Sequence, residues 1–235
     1  MTDRIMETAY LGRVAYHDGL RLQDERVDAV KRGAAHDALF LLEHDPVITL
    51  GRNAKAENIV TPPETLAGMG IQVADCGRGG DVTYHGPGQL VGYPILNLAP
   101  DRKDVGKYVR NLEEAIIRTL ADYGLESERI KGLTGVWVGR EKVAAIGVRI
   151  SRWVTSHGFA LNIAPDLSHF ETIIPCGIRT HGVTSLERLL PETPALPEVA
   201  GRFADHFGKL FGRTPVWSAD EAQAAVAETG GRKAQ

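Results

Sequence analysis

The stretch from Gly77 to Leu98, GRGGDVTYHGPGQLVGYPILNL, restricts what this chain can fold into more than any other. It holds six glycines, so a backbone or a ligand is expected to approach closely along it. Residues 81–84 and 89–98 read as strands around the turn Gly86-Pro87-Gly88. A segment of this kind belongs in a sheet, and the rest of the chain must supply the layers that cover it.

The covering elements are legible from periodicity. Residues 18–31 read as a helix with Leu20, Val27 and Val30 on one side. Residues 38–42 form a buried strand, and residues 47–50 read as its partner, joined through His44-Asp45-Pro46. A short helix over 62–67 and a strand over 71–74 follow. Asp104 caps the clearest helix, whose stripe is Tyr108, Leu112, Ala115, Ile116, Leu120 and Tyr123, with Gly124 at its end. Residues 135–139, 142–150 and 153–163 read as three strands, rich in β-branched and aromatic side chains. Residues 168–173 read as a short helix, and residues 197–211 as the last helix. Strands and helices mix without strict alternation. The expected class is therefore α/β of the α+β type, a mixed sheet with packed helices, and not a doubly wound parallel fold. The length suits one domain over 1–215, with a small polar tail over 216–235 that frays.

Composition excludes some functions. The formal net charge of -3 offers no global attraction to nucleic acid or to an anionic membrane. The start lacks a basic region followed by an apolar run, and no stretch has the apolar length of a membrane helix. A cytoplasmic monomer is expected. HExxH, CxxC and GxxxxGK[ST] are all missing, and Gly77-Arg78-Gly79-Gly80 does not complete GxGxxG. Neither a metal site nor a bound cofactor is expected.

Two cysteines are candidates for covalent chemistry. Cys176 lies in the turn Ile174-Pro175-Cys176-Gly177, where a thiol is presented outward if it is a nucleophile and packed inward if it is structural. Cys76 ends a strand beside Asp75, with Arg78 two residues on, and reads as a packing residue. A nucleophilic thiol needs a group that favours its thiolate. Lys142, heading the apolar strand KVAAIGV, is one such group; a solvated strand end is the other reading of that lysine. His85, His157 and His181 each adjoin glycine and are further candidates.

Four stretches combine into one pattern. RGGDVTYHGPGQLVGYP (78–94), KVAAIGVRISRWVTSHGFALNI (142–163), PCGIRTHGVTSL (175–186) and LLEHDPVITLGR (41–52) resemble the signature of lipoyl(octanoyl) transferases. The likeness runs from about residue 10 to about 212 and leaves out Cys76 and the tail. It implies a fold similar to the catalytic domains of biotin and lipoate protein ligases. It implies octanoyl transfer from octanoyl-acyl carrier protein to a lysine on lipoyl domains. Those acceptors are the acyltransferase subunits of 2-oxoacid dehydrogenases and the glycine-cleavage carrier protein. By the same resemblance Cys176 carries the acyl thioester and Lys142 is its partner, as a cation or as a base. The substrate pocket would be lined by Arg78, Gly79, Gly80, Asp81, Val82, Thr83, Tyr84 and His85. Ala145, Ile146 and Gly147 would join them, with Gly158, Phe159 and Ala160. Arg78, Arg149, Arg152 and Arg179 lie in or beside these motifs, and a basic rim for the acidic carrier is one reading of them.

Overall fold

The computed structural model describes residues 4–101, 103–175 and 181–218. The chain opens with strand β1 (Arg4–Val14) and helix α1 (Tyr16–Lys31). Strands β2 (Asp37–His44) and β3 (Val47–Leu50) follow, then helix α2 (Pro63–Gly68) and strands β4 (Gln72–Asp75), β5 (Val82–His85) and β6 (Gln89–Ile95). Helix α3 (Val105–Ala121) leads into β7 (Glu128–Ile130), β8 (Leu133–Val138), β9 (Glu141–Ser151) and β10 (Val154–Asn162). A 3-10 turn over Leu167–Thr172 precedes β11 (Gly182–Val183), and α4 (Leu186–Leu189), α5 (Leu196–Phe211) and β12 (Arg213–Trp217) complete the order.

The strands form two sheets. The large one runs β12-β1-β2-β6-β10-β9-β8-β7, with β11 added on β9, and the small one runs β4-β3-β5. Both contain parallel and antiparallel pairs, so the mixed sheet with packed helices is what the chain adopts. The helix α3 begins where the Asp104 side chain accepts from the Lys107 amide, at 2.8 Å, which satisfies one of the open N–H groups of the first turn. Its apolar stripe meets α5 on one face of the large sheet, in a core built on Leu112, Ile116, Phe159, Leu161, Phe203 and Phe207. The other face is covered by α1, through Val27 and Val30 against Phe40, Val91 and Tyr93.

One expected pairing is replaced. β3 does not pair with β2; it pairs with β4 in parallel and β5 antiparallel. The reason is that both edges of β2 are taken, by β1 on one side and β6 on the other. The strands expected around the Gly86–Gly88 turn are β5 and β6, which lie in different sheets, so the chain crosses from one sheet to the other there.

Candidate active site

The site is a cleft where the α1-covered face of the large sheet meets the small sheet. Two registers build it. β10 sets Ala160 opposite Ala145 and Gly158 opposite Gly147, and β6 sets Val91 opposite Ala160. The predicted stretches 145–147 and 158–160 are thereby adjacent. The loop before β5 closes over them, held by the Gly79 amide donating to the Val148 carbonyl at 2.9 Å. The cleft is lined by Arg78, Gly80, Asp81, Thr83 and His85 from the glycine-rich segment, and by Ala145, Ile146, Gly147, Gly158, Phe159 and Ala160. Tyr16, Val91, Tyr93 and His157 also line it. His157 had been singled out for its glycine neighbour, and Val91 and Tyr93 lie within the motif over 78–94; nothing local marks Tyr16, which comes from α1.

Lys142 stands at one end of this cleft, buried. A smaller cavity joins it to Thr83, Ala145, Ala160, Gln89, Asn162 and Pro175. An open groove joins it to Gly79, Gly80, Asp81, Ile146 and Gly147, continuing to Asn53 and Thr134. Strict alternation from Ala145 and Gly147 would point Val143 into the cleft and Lys142 away. The β8–β9 register slips by one between Val136↔Ala144 and Trp137↔Lys142, so β9 carries an extra residue there. That bulge turns Val143 into the α3–α5 core and Lys142 into the cleft. The Trp137 ring lies under the ammonium, 4.8 Å from its nitrogen, and β11 pairs Val183 with Lys142 on the other side. Gly135, at φ 129°, lets β8 lie against the bulge: a Cβ there would run into the Ala144 carbonyl at 2.6 Å and crowd Lys142 Cε at 3.3 Å.

Arg78 is buried and spends its guanidinium on backbone. It donates to the carbonyls of Thr49, Gly79 and Asp81 at 2.8, 3.1 and 2.9 Å, while its Nε has no partner. It ties the glycine-rich loop to β3, and among the described residues of the expected arginine rim Arg149 and Arg152 are exposed. His85 Nδ1 meets Gln89 Oε1 at 2.7 Å; because Gln89 Nε2 is the donor to Asn162, the histidine nitrogen must carry the proton. Burial lowers the His85 pKa to about 3, aided by His44 and Arg78, and burial lowers that of His157 to about 4, aided by Arg78 and Arg149. Both rings are neutral in the folded protein at neutral pH. His181 contacts the Trp137 ring edge-on at 5.2 Å.

Not every predicted residue faces the cleft. Val82 and Tyr84 point into the core of the small sheet. The Tyr84 hydroxyl reaches His169 Nδ1 at 2.7 Å, and burial pushes its pKa up to about 12. Gly158 lines the cleft and also lets β6 come close, since a Cβ there would run into the Gly92 carbonyl and Pro94. Cys76 donates its thiol to the Leu50 carbonyl at 3.1 Å, a packing position. Cys176 and Arg179 lie outside the described residues. Among the described residues, no cluster of three His, Cys, Asp or Glu side chains suits a metal ion, and no helix is long and apolar enough to cross a membrane.

Comparison with known proteins places this cleft in a family. A protein named octanoyltransferase from Solibacter usitatus is 56% identical over 201 residues, which cover 86% of this chain and 90% of the relative. A bi-partite lipoate protein ligase from Thermoplasma acidophilum has a similar fold, with a TM-score of 0.71 at 17% identity over 97% of this chain and 93% of the other. A biotin protein ligase from Aquifex aeolicus follows at a TM-score of 0.53 and 12% identity, over 88% of this chain and 69% of the other. The model of the lipoyl protein ligase A/B catalytic domain matches residues 15–208, and the chain belongs to that family.

Proposed function

We propose that this protein is an acyltransferase that moves an octanoyl group from octanoyl-acyl carrier protein to the lysine of a lipoyl domain, through a thioester on Cys176. The observation that carries the reading is the convergence of three cavities beside one buried lysine. A groove open to solvent, a small chamber and the cleft meet around Thr83, Ala145 and Gly147, with Lys142 lining the first two. A thioester arm, a reacting carbonyl and an acyl chain require such an arrangement. Both flanks of residues 176–180 support the role of the cysteine. Pro175 lines the chamber of Lys142, and Val183 pairs with Lys142 across the ladder. The relatives named octanoyltransferase support the choice of acyl group. The acceptors are the lipoyl domains of 2-oxoacid dehydrogenases and the glycine-cleavage carrier protein, and the reaction uses no bound cofactor.

In the first step the Cys176 sulfur attacks the donor carbonyl. The new carbon–sulfur bond forms as the donor's breaks, and the thiol proton passes to the departing donor sulfur. In the second, the acceptor amine attacks the enzyme thioester, an amide forms, and the Cys176 thiol is restored with the amine's proton. Lys142 is the group that exchanges those protons. The test is intact mass after mixing the protein with octanoyl-acyl carrier protein, without ATP or acceptor. One octanoyl group is expected on wild type and Cys76→Ser, none on Cys176→Ser, and loading at least about a hundredfold slower on Lys142→Ala. An unmodified wild type that modifies lipoyl domains only with ATP and free octanoate would make it a ligase instead.

A further inference from the structure

We infer that Tyr16, the first residue of α1, is the end wall of the cleft and sets the length of acyl chain the protein accepts. The inference rests on the reading of the cleft as the acyl site. Distance along the strands gives the cleft a direction. From Lys142 it passes Ala145 and Ala160, opposite Val91, and two residues further it reaches Gly147, Gly158 and Tyr93. Beyond that point small and aliphatic side chains give way to rings. Tyr16 lies stacked on His85, with centroids 6.4 Å apart and planes 13° apart, and meets His44 edge-on at 5.2 Å.

The wall is braced from behind. His44 Nδ1 lies 2.7 Å from the Val14 carbonyl, so that nitrogen carries the proton. Its Nε2 therefore accepts from the Tyr93 hydroxyl at 2.6 Å, which fixes Tyr93 beside Tyr16. Gly19, in the first turn of α1, admits the His44 ring: a Cβ there would lie 2.9 Å from His44 Cε1. Behind Tyr16 stand Val47, Ala74 and Leu20. A ring held on all these sides does not move aside for a longer chain, whereas truncating it opens space in line with the cleft without removing a strand. Tyr16 lines the cleft but neither of the two cavities that Lys142 lines, so its effect should fall on chain length and not on proton transfer.

The experiment pits eight-carbon against ten-carbon acyl carrier protein donors in one mixture and reads the loaded protein by intact mass. In wild type the eight-carbon product dominates. Each methylene newly accommodated raises binding about fourfold, so with two more methylenes Tyr16→Ala should raise the ten-to-eight product ratio by roughly fifteenfold. Tyr16→Leu should move it the same way by less, and Tyr16→Phe, which keeps the ring, should hold the wild-type ratio. A folded Tyr16→Ala, with unchanged circular dichroism, that keeps the wild-type ratio would overturn the inference. If that variant does not fold, Tyr16→Leu decides by the same ratio. A wild type that loads neither donor would instead overturn the acyl-site reading, and the wall with it.

Discussion

Lys142 shows how a residue acquires a role through what surrounds it. A lysine only 8% exposed inside a strand would normally extend to water. Here the Trp137 ring offers a face of negative potential, Gly135 leaves the stem a path, and β11 closes the far side. His85 and His157 are the converse case, buried rings kept neutral. Their folded pKa values, about 3 and about 4, lie below the unfolded value of 6.5. Unfolding therefore takes up protons in between, so the contribution to stability is complete above pH 6.5 and is lost as pH falls toward the folded values. At pH 5 each ring should cost about 2 kcal/mol relative to pH 7. Urea unfolding at the two pH values measures this, and His85→Leu should show a smaller acid loss than wild type. An equal loss in both would place the acid sensitivity elsewhere. His157 also holds φ 53°, unusual for a residue with a side chain, and its amide donates to Gln23 of α1 at 2.7 Å.

At the scale of elements, the closing strand is fastened by one buried ion pair. Arg213 at the start of β12 donates from Nε and Nη2 to Asp37 of β2, at 3.0 and 2.9 Å, and from Nη2 to Asp101 at 2.7 Å. Removing one partner of a buried pair strands the other charge, so Arg213→Ala should lower stability by about 3 kcal/mol. Chemical denaturation checks it, and a loss near zero would mean that Asp37 finds water on its own. Elements with strong local periodicity were legible in the sequence. α1, α3, α5, β9 and β10 fall within about two residues of their expected bounds. β1, RIMETAYLGRV, was not, because charges at Arg4, Glu7 and Arg13 and the break at Gly12 hide its alternation. Missing β1 made β2 look free to pair with β3. Sheet membership depends on partners far along the chain, which no local pattern encodes. The same holds for the cleft. Stretches 78–85, 145–147 and 158–160 were legible as motifs, but only the fold shows that Val82 and Tyr84 serve the scaffold while Tyr16 and Tyr93 face the cleft.

The whole molecule presents one worked face. α3 and α5 bury the far side of the large sheet, leaving the cleft and its groove at the junction with the small sheet. On the proposed reaction, a carrier protein and a lipoyl domain, both large, would share the open groove that leads to Lys142. They would then dock in turn, with the acyl group held covalently between visits. Initial rates at several donor and acceptor concentrations should give parallel double-reciprocal lines. Intersecting lines would require both proteins to bind together and would end the covalent route. The exposed Arg149 and Arg152 lie on β9 and at its end, on the strand that also carries Lys142.

The bulge in β9 lets Lys142 and Ala145 share one side of a strand although they stand three positions apart. Val143 and Ala144 both turn to the α3–α5 side, so one of them is surplus to the alternation. A chain shortened by Val143 would close a regular ladder in which the lysine directly precedes Ala144 and keeps the cleft side. A chain that kept every residue but lost the bulge would instead carry its lysine toward the phenylalanines of α5, so a working copy is told from a silent one by how its strands pair and not by how many residues separate Trp137 from Ala145.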